Sequence, residues 1–111
     1  PSLKPGATIL ISPDGTINTR TPTYKWKAAA KATQYRLWVS DDTFSGESSA
    51  NVYNNWFTAE ALGCKQGGTC SIKPPGKISR GPHRWWVKSW NATGSGDWSK
   101  NKNFVISNTA N

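Results

Sequence analysis

Nine consecutive residues constrain the fold of this chain more than any others: His83-Arg84-Trp85-Trp86-Val87-Lys88-Ser89-Trp90-Asn91. Successive side chains of a β-strand point to opposite faces. His83, Trp85, Val87 and Ser89 then share one face, and Arg84, Trp86, Lys88 and Trp90 share the other. The first set suits a core. The second should be polar, yet it alternates cation with tryptophan. Large apolar side chains left in water on a small domain mark a binding surface.

The same period recurs upstream. In Thr23–Lys27, Tyr24 and Trp26 point inward and Lys25 and Lys27 outward. In Gln34–Ser40, Tyr35, Leu37 and Val39 point inward and Arg36, Trp38 and Ser40 outward. Asn51–Thr58 is a further strand, with Val52, Asn54, Trp56 and Thr58 on one side and Tyr53, Asn55 and Phe57 on the other; alternation alone does not say which side is buried. Ala7–Ile11, Thr69–Lys73 and Phe104–Ile106 are short runs of strand-forming residues. Ser12-Pro13-Asp14-Gly15, Pro74-Pro75-Gly76 and Asn91–Gly96 carry turn chemistry. Thr16–Pro22 and Ala28–Ala32 read as connections, the latter too short for an independent helix, and 41–50 reads as a polar loop. About seven short strands, no helix and no crossover predict an all-β, seven-stranded antiparallel β-sandwich. Its expected core is Tyr24, Trp26, Tyr35, Leu37, Val39, Ile72, Trp85, Val87, Phe104 and Ile106. Residues 7–107 are the expected sandwich, with 1–6 and 108–111 as linker, so the unit reads as one domain of a longer protein.

At 111 residues the chain is one domain with a small core. No apolar run is long enough for a membrane-spanning helix. The formal net charge of +8 fits an anionic partner, whether nucleic acid, an acidic membrane surface or an acidic polysaccharide; it equally fits solubility alone. Cys64 and Cys70 flank Lys65-Gln66-Gly67-Gly68-Thr69, where the glycines allow a tight loop. A disulfide there would remove about 2 kcal/mol of unfolded-chain entropy and imply an oxidising compartment. A metal site is the rival, but no third or fourth ligand lies near the pair, because His83 is the sole histidine.

At the organising stretch the sequence resembles a fibronectin type III domain. That family carries a strand F of alternating inward residues, then an asparagine, a glycine-bearing turn and a serine. The matching residues are His83, Trp85, Val87, Ser89, Asn91, Gly94, Gly96 and Ser99. Trp26 matches the strand B tryptophan, Tyr35, Leu37 and Val39 the inward triplet of strand C, and Ile78 the apolar residue upstream of the tyrosine corner. The chain departs from the family at His83, where tyrosine is usual. Trp85-Trp86 and Asp97-Trp98-Ser99 resemble the Trp-rich domains of this kind appended to secreted bacterial polysaccharide-degrading enzymes.

The resemblance implies that strands C, F and G share a sheet, which puts Arg36 and Trp38 beside Arg84, Trp86, Lys88 and Trp90 on its outer face. Indole faces pack against the axial C–H groups of sugars, and Arg pairs with sulfate or carboxylate. Trp38, Trp86, Trp90, Arg36, Arg84, Lys88 and Trp56 are therefore the candidate carbohydrate-binding residues. The competing reading is a cation–π ladder that only stabilises the sheet; Trp98-Ser99 resembles half of the Trp-Ser motif that does this in cytokine-receptor domains. Asn54 and Asn55 beside Trp56 add amides suited to sugar hydroxyls. Catalysis has little support. The six acidic residues are Asp14, Asp41, Asp42, Glu47, Glu60 and Asp97, and glycoside hydrolysis needs two that converge. No nucleotide-binding loop is present, and no cofactor or metal is expected. Asn91-Ala92-Thr93 is a glycosylation sequon with no meaning in a bacterial source. The expected function is a monomeric, secreted, non-catalytic carbohydrate-binding module that targets an enzyme in the same chain to an anionic, sulfated algal polysaccharide. A ligand-free spacer and a protein-adhesion module are the alternatives. Nucleic acid fits the charge and the aromatics but not an extracellular disulfide, and no membrane partner is expected.

Overall fold

The computed structural model describes residues 5–41, 50–65, 67–74, 76–78 and 80–110. Residues 1–4 and 111 of the expected linkers and 42–49 of the expected loop, with Asp42 and Glu47, lie outside the described residues. Every element among the described residues is a strand: β1 (Ile9–Ser12), β2 (Gly15–Ile17), β3 (Tyr24–Lys27), β4 (Gln34–Asp41), β5 (Ala50–Thr58), β6 (Thr69–Ile72), β7 (Gly81–Asn91), β8 (Gly94–Trp98) and β9 (Lys102–Ile106). They form two sheets, β1-β3-β6 and β2-β9-β7-β4-β5, with β8 also paired to β7.

Nine of the ten expected core residues are buried, joined by Ala59, Leu62, Cys64, Cys70 and Ala110. Tyr24, Trp26, Tyr35, Leu37, Val39, Trp85, Val87, Phe104 and Ile106 are each no more than 2% exposed, and Ile72 packs half-buried against them. Trp85 sits between the layers. Its ring meets Tyr24 edge-on at 5.1 Å and tilts against Trp26 at 6.2 Å, and its Nε1 donates to the Pro13 carbonyl at 3.2 Å. His83, at the tyrosine-corner position, is buried. It stacks on Phe104 at 5.3 Å, with Nδ1 3.4 Å from the Ser40 carbonyl oxygen.

Nine strands are present rather than seven. The two additions fall where the sequence reads as connection. After β1 the chain leaves the small sheet through Ser12-Pro13, a cis bond, and Gly15 at φ 70°. Gly15–Ile17 then pairs with β9 in parallel, so the sandwich is not wholly antiparallel. Three residues beginning with glycine carry no alternation to read. The second addition is β8, in a stretch whose glycines resemble a turn. Gly96 serves another purpose: the N-terminal segment crosses it. A Cβ there would collide with the Pro5 carbonyl oxygen and lie 2.6 Å from Ser89 Oγ. Ser89 Oγ donates to the Gly6 carbonyl at 2.6 Å. Packing therefore extends past the expected 7–107 bounds, since Pro5 is buried, and so is Ala110, whose carbonyl accepts from Arg80 Nε at 2.8 Å. β8 and β9 lie on the same edge of β7, separated by a step at Ser99. Ser99 fills the gap: its N–H donates to the Val87 carbonyl at 2.9 Å, and its Oγ accepts from the Val87 N–H at 3.0 Å.

Cys64 and Cys70 are bonded, with Cα atoms 4.9 Å apart. Cys70 lies on β6 opposite Trp26, so the bond fastens the β5–β6 connection to the small sheet. Reduction is expected to lower stability by about 2 kcal/mol, the entropy of a short loop. Melting curves with and without reductant, with alkylation to confirm free thiols, check this. An unchanged midpoint after full reduction would remove the bond's structural role.

Burial pushes the Tyr24 hydroxyl well above the ordinary tyrosine range. Burial also raises Tyr35, opposed by the hydrogen bond its Oη accepts from the Ala29 N–H at 2.9 Å. A folded-state value raised above the unfolded one favours folding at pH below the unfolded value and loses that advantage as pH rises through it. The domain should therefore hold its stability to about pH 10, the unperturbed tyrosine value, and lose it above. Denaturant midpoints measured across alkaline pH test this, with Tyr24→Phe expected to flatten the decline.

Candidate functional site

The outer face of the larger sheet carries the candidate residues. Its rows follow from pairing register. Arg36 on β4 lies opposite Trp56 on β5 and Lys88 on β7, and Lys88 lies opposite Trp98 on β8. The row thus reads Trp56–Arg36–Lys88–Trp98. On one side of it runs Asn54–Trp38–Trp86, and on the other Thr58–Gln34–Trp90. Arg84 lies opposite Ser40, one row further out. The sheet therefore puts Trp38, Trp86, Trp90, Arg36, Arg84, Lys88 and Trp56 on one face. Lys25 and Lys27 lie on β3, in the other sheet.

Ring geometry divides these residues. Trp38 and Trp86 are directly cross-strand and stack on each other, centroids 4.4 Å apart and planes 23° apart. Trp98 tilts against Trp38 at 5.7 Å. Lys88 Nζ lies 5.4 Å from the Trp98 ring centre, and Arg36 Cζ lies 5.9 Å from the Trp98 centre and 5.9 Å from that of Trp56. These are cation–π distances. Trp38 and Trp86 each turn one face to the other, so those faces are closed to a ligand. Arg36 is further fixed by Nε donating to Asn54 Oδ1 at 2.6 Å.

Trp56 is different. It is the most exposed of the seven tryptophans, at 43%. With Trp90 and Gln34 it lines a shallow concavity of about 240 Å³. Strands β5 and β7 flank β4 and so stand two strand spacings apart, roughly 10 Å. Indoles rising from them can flank a ring resting above the Gln34 amide. A lone outward glutamine such as Gln34 carries no signal in a sequence. In sequence Trp98 stands out only through its Trp-Ser pair; its place in the row depends on a register shift between Lys88 and Trp90.

The face is electropositive. The carboxylates whose side chains are described lie elsewhere: Asp14 is 3.6 Å from Lys102 and Glu60 is 3.5 Å from Lys65, and Asp97 borders a separate groove with Ile9 and Lys100; Asp41 ends β4 opposite His83. The sequon asparagine is committed to the fold. Asn91 Nδ2 donates to the Lys31 carbonyl at 3.0 Å, and its Oδ1 accepts from the N–H groups of Thr93 and Gly94 at 2.9 and 3.3 Å.

The strand order, with β1-β3-β6 facing β9-β7-β4-β5, corresponds to sheets A-B-E and G-F-C-C′ of a fibronectin type III-like β-sandwich. No protein-family model matches the chain, and no curated protein matches it significantly. Among solved structures, a cell-surface-expressed multi-modular chitinase of Paenibacillus sp. str. FPU-7 matches at TM-score 0.56 and 15% identity, over 95% of this chain and 9% of that one. An Fn3-like protein from Clostridium thermocellum matches at TM-score 0.43 and 12% identity, over 93% of this chain and 91% of that one. This chain thus spans about a tenth of the chitinase. At 15% identity the likeness to the chitinase is one of fold.

Proposed function

We propose that the domain is a non-catalytic carbohydrate-binding module of a secreted, multi-domain polysaccharide-degrading protein, and that its ligand is an anionic polysaccharide. The observation that carries this reading is the concavity formed by exposed Trp56, Gln34 and Trp90 beside Arg36. It offers aromatic surfaces on two strands, with an amide and a cation on the strand between them. A pyranose ring stacks on indole, the amide takes hydroxyls, and the guanidinium pairs with a sulfate or carboxylate. Trp38, Trp86, Trp98, Lys88 and Arg84 act mainly as the support that holds Arg36 and keeps the face positive. The disulfide supports an extracellular setting.

A second reading, a ligand-free spacer, is favoured by the Trp38–Trp86 stack and by the cations over Trp98. These contacts satisfy the aromatics within the domain. Affinity electrophoresis through neutral and sulfated polysaccharides, at low and high salt, separates the two. The module should be retarded by a sulfated or uronic-acid polymer, more strongly at low salt and measurably still at high salt. Equal mobility in every gel supports the spacer.

A further inference from the structure

The larger sheet ends in β5, and this edge differs from the others. The two sheets end in β1, β6, β2 and β5, and β8, five residues with two glycines and an aspartate, is a further edge beside β7. β1, β6, β2 and β8 have four, four, three and five residues, whereas β5 has nine. A free edge presents unpaired N–H and C=O groups to any strand that meets it, and soluble proteins commonly blunt such edges with charge, proline or shortness. β5 reads Ala-Asn-Val-Tyr-Asn-Asn-Trp-Phe-Thr, with no charge, no proline and no glycine. Among the described residues no backbone hydrogen bond reaches the outer edge of Tyr53–Phe57.

The usable length of this edge is bounded on both sides. The register with β4 slips where Tyr53 and Asn51 face consecutive residues, so Val52 is bulged. At the other end the Thr58 carbonyl accepts from the Leu62 N–H at 3.2 Å, and Thr58 Oγ1 accepts from the Ala61 N–H at 3.0 Å. What remains is Tyr53-Asn54-Asn55-Trp56-Phe57, whose midpoint is Asn55. Tyr53 and Phe57 stand symmetrically about it, stacked at 6.1 Å and only half-buried.

We infer that this edge pairs with the same edge of a second copy, antiparallel about a two-fold axis at Asn55. In that register Tyr53 of each copy faces Phe57 of the other on the inner side, and Asn54 faces Trp56 on the outer side. Such aromatic cross-strand pairs are favourable. Charge points to this edge too: copies carrying +8 each repel, and an uncharged strip is where they approach at least cost. Five paired residues bury less than a stable interface needs, so the dimer is weak and concentration-dependent. It joins two Trp56-bearing faces into one sheet, yet it does not depend on what those faces bind.

Sedimentation velocity over a wide concentration range, on the disulfide-intact domain, tests the inference. Reversible dimerisation is expected. Asn55→Lys, which puts like charges opposite each other on the axis, should weaken it on the order of tenfold or more. Asn55→Cys should form a covalent dimer under mild oxidation, whereas Ser71→Cys, on the β6 edge, should not. All three variants should keep the wild-type melting behaviour, which separates loss of pairing from loss of fold. A monomer at every concentration overturns the inference. So does a dimer indifferent to Asn55→Lys, or equal cross-linking at Ser71→Cys.

Discussion

Replacing Trp85 with alanine is expected to cost about 3–5 kcal/mol, the range for removing a large aromatic from a packed core. Its neighbour Trp86 should cost about 1–2 kcal/mol. The contrast rests on one residue of register. Trp85 is fully buried, touches Tyr24 and Trp26, and gives the Pro13 carbonyl its partner. Removing it leaves a cavity between the sheets and an unpaired carbonyl. Trp86 lies on the outer face, where alanine forfeits the stack on Trp38 and part of its buried area. Against a total stability on the order of 5–15 kcal/mol, the first change removes a large fraction. It should lower the melting midpoint by more than about 10 °C. Paired melting curves of Trp85→Ala and Trp86→Ala decide the matter. Equal losses would mean that the Trp38–Trp86 stack carries the fold as much as the core does.

Which residues face the core was legible because period-two alternation is a property of the strand itself. Tyr24, Trp26, Tyr35, Leu37, Val39, Trp85 and Val87 could be assigned with no knowledge of their partners. The buried side of β5 could not. At the sheet edge both faces are partly wet: Tyr53, Asn54 and Phe57 are half-buried while Asn55 and Trp56 are exposed, and no clean alternation results. β2 was illegible because its pairing with β9 joins residues far apart in sequence through a three-residue contact. β8 was misread because glycine demanded by a close backbone crossing looks, in sequence, like glycine demanded by a turn.

The candidate face was legible as a face and not as a site. Alternation assigns Trp38 and Trp86 to the same side as Arg36, but it does not give ring orientation. Orientation depends on rotamers and on which residues lie directly across the strands. Trp38 and Trp86 fall directly opposite one another, so they stack together. Trp56 falls opposite Arg36 at the edge, so one side of its ring meets a cation and the rest is left to solvent. The same register places Gln34 beneath the gap between Trp56 and Trp90.

Trp56→Ala should weaken polysaccharide binding on the order of tenfold, about 1.4 kcal/mol, at every ionic strength. Stacking of a sugar on indole is apolar contact and responds little to salt. Arg36→Gln should behave differently. Its pairing with a sulfate or carboxylate lies at a solvent-accessible face, and the Debye length falls from about 10 Å at 0.1 M salt to about 3 Å at 1 M. The loss from Arg36→Gln should be large at low salt and vanish at high salt, while the loss from Trp56→Ala persists. Trp56 is 43% exposed, so its removal should leave the melting midpoint nearly unchanged. Lys25→Gln with Lys27→Gln, on the opposite sheet, lowers the net charge by more than Arg36→Gln does. If that pair reduced retention as much, the attraction would be that of a cationic protein for any polyanion, with no site. If Trp56→Ala left retention untouched at both salt concentrations, the aromatic face would serve the sheet alone, as a spacer domain requires.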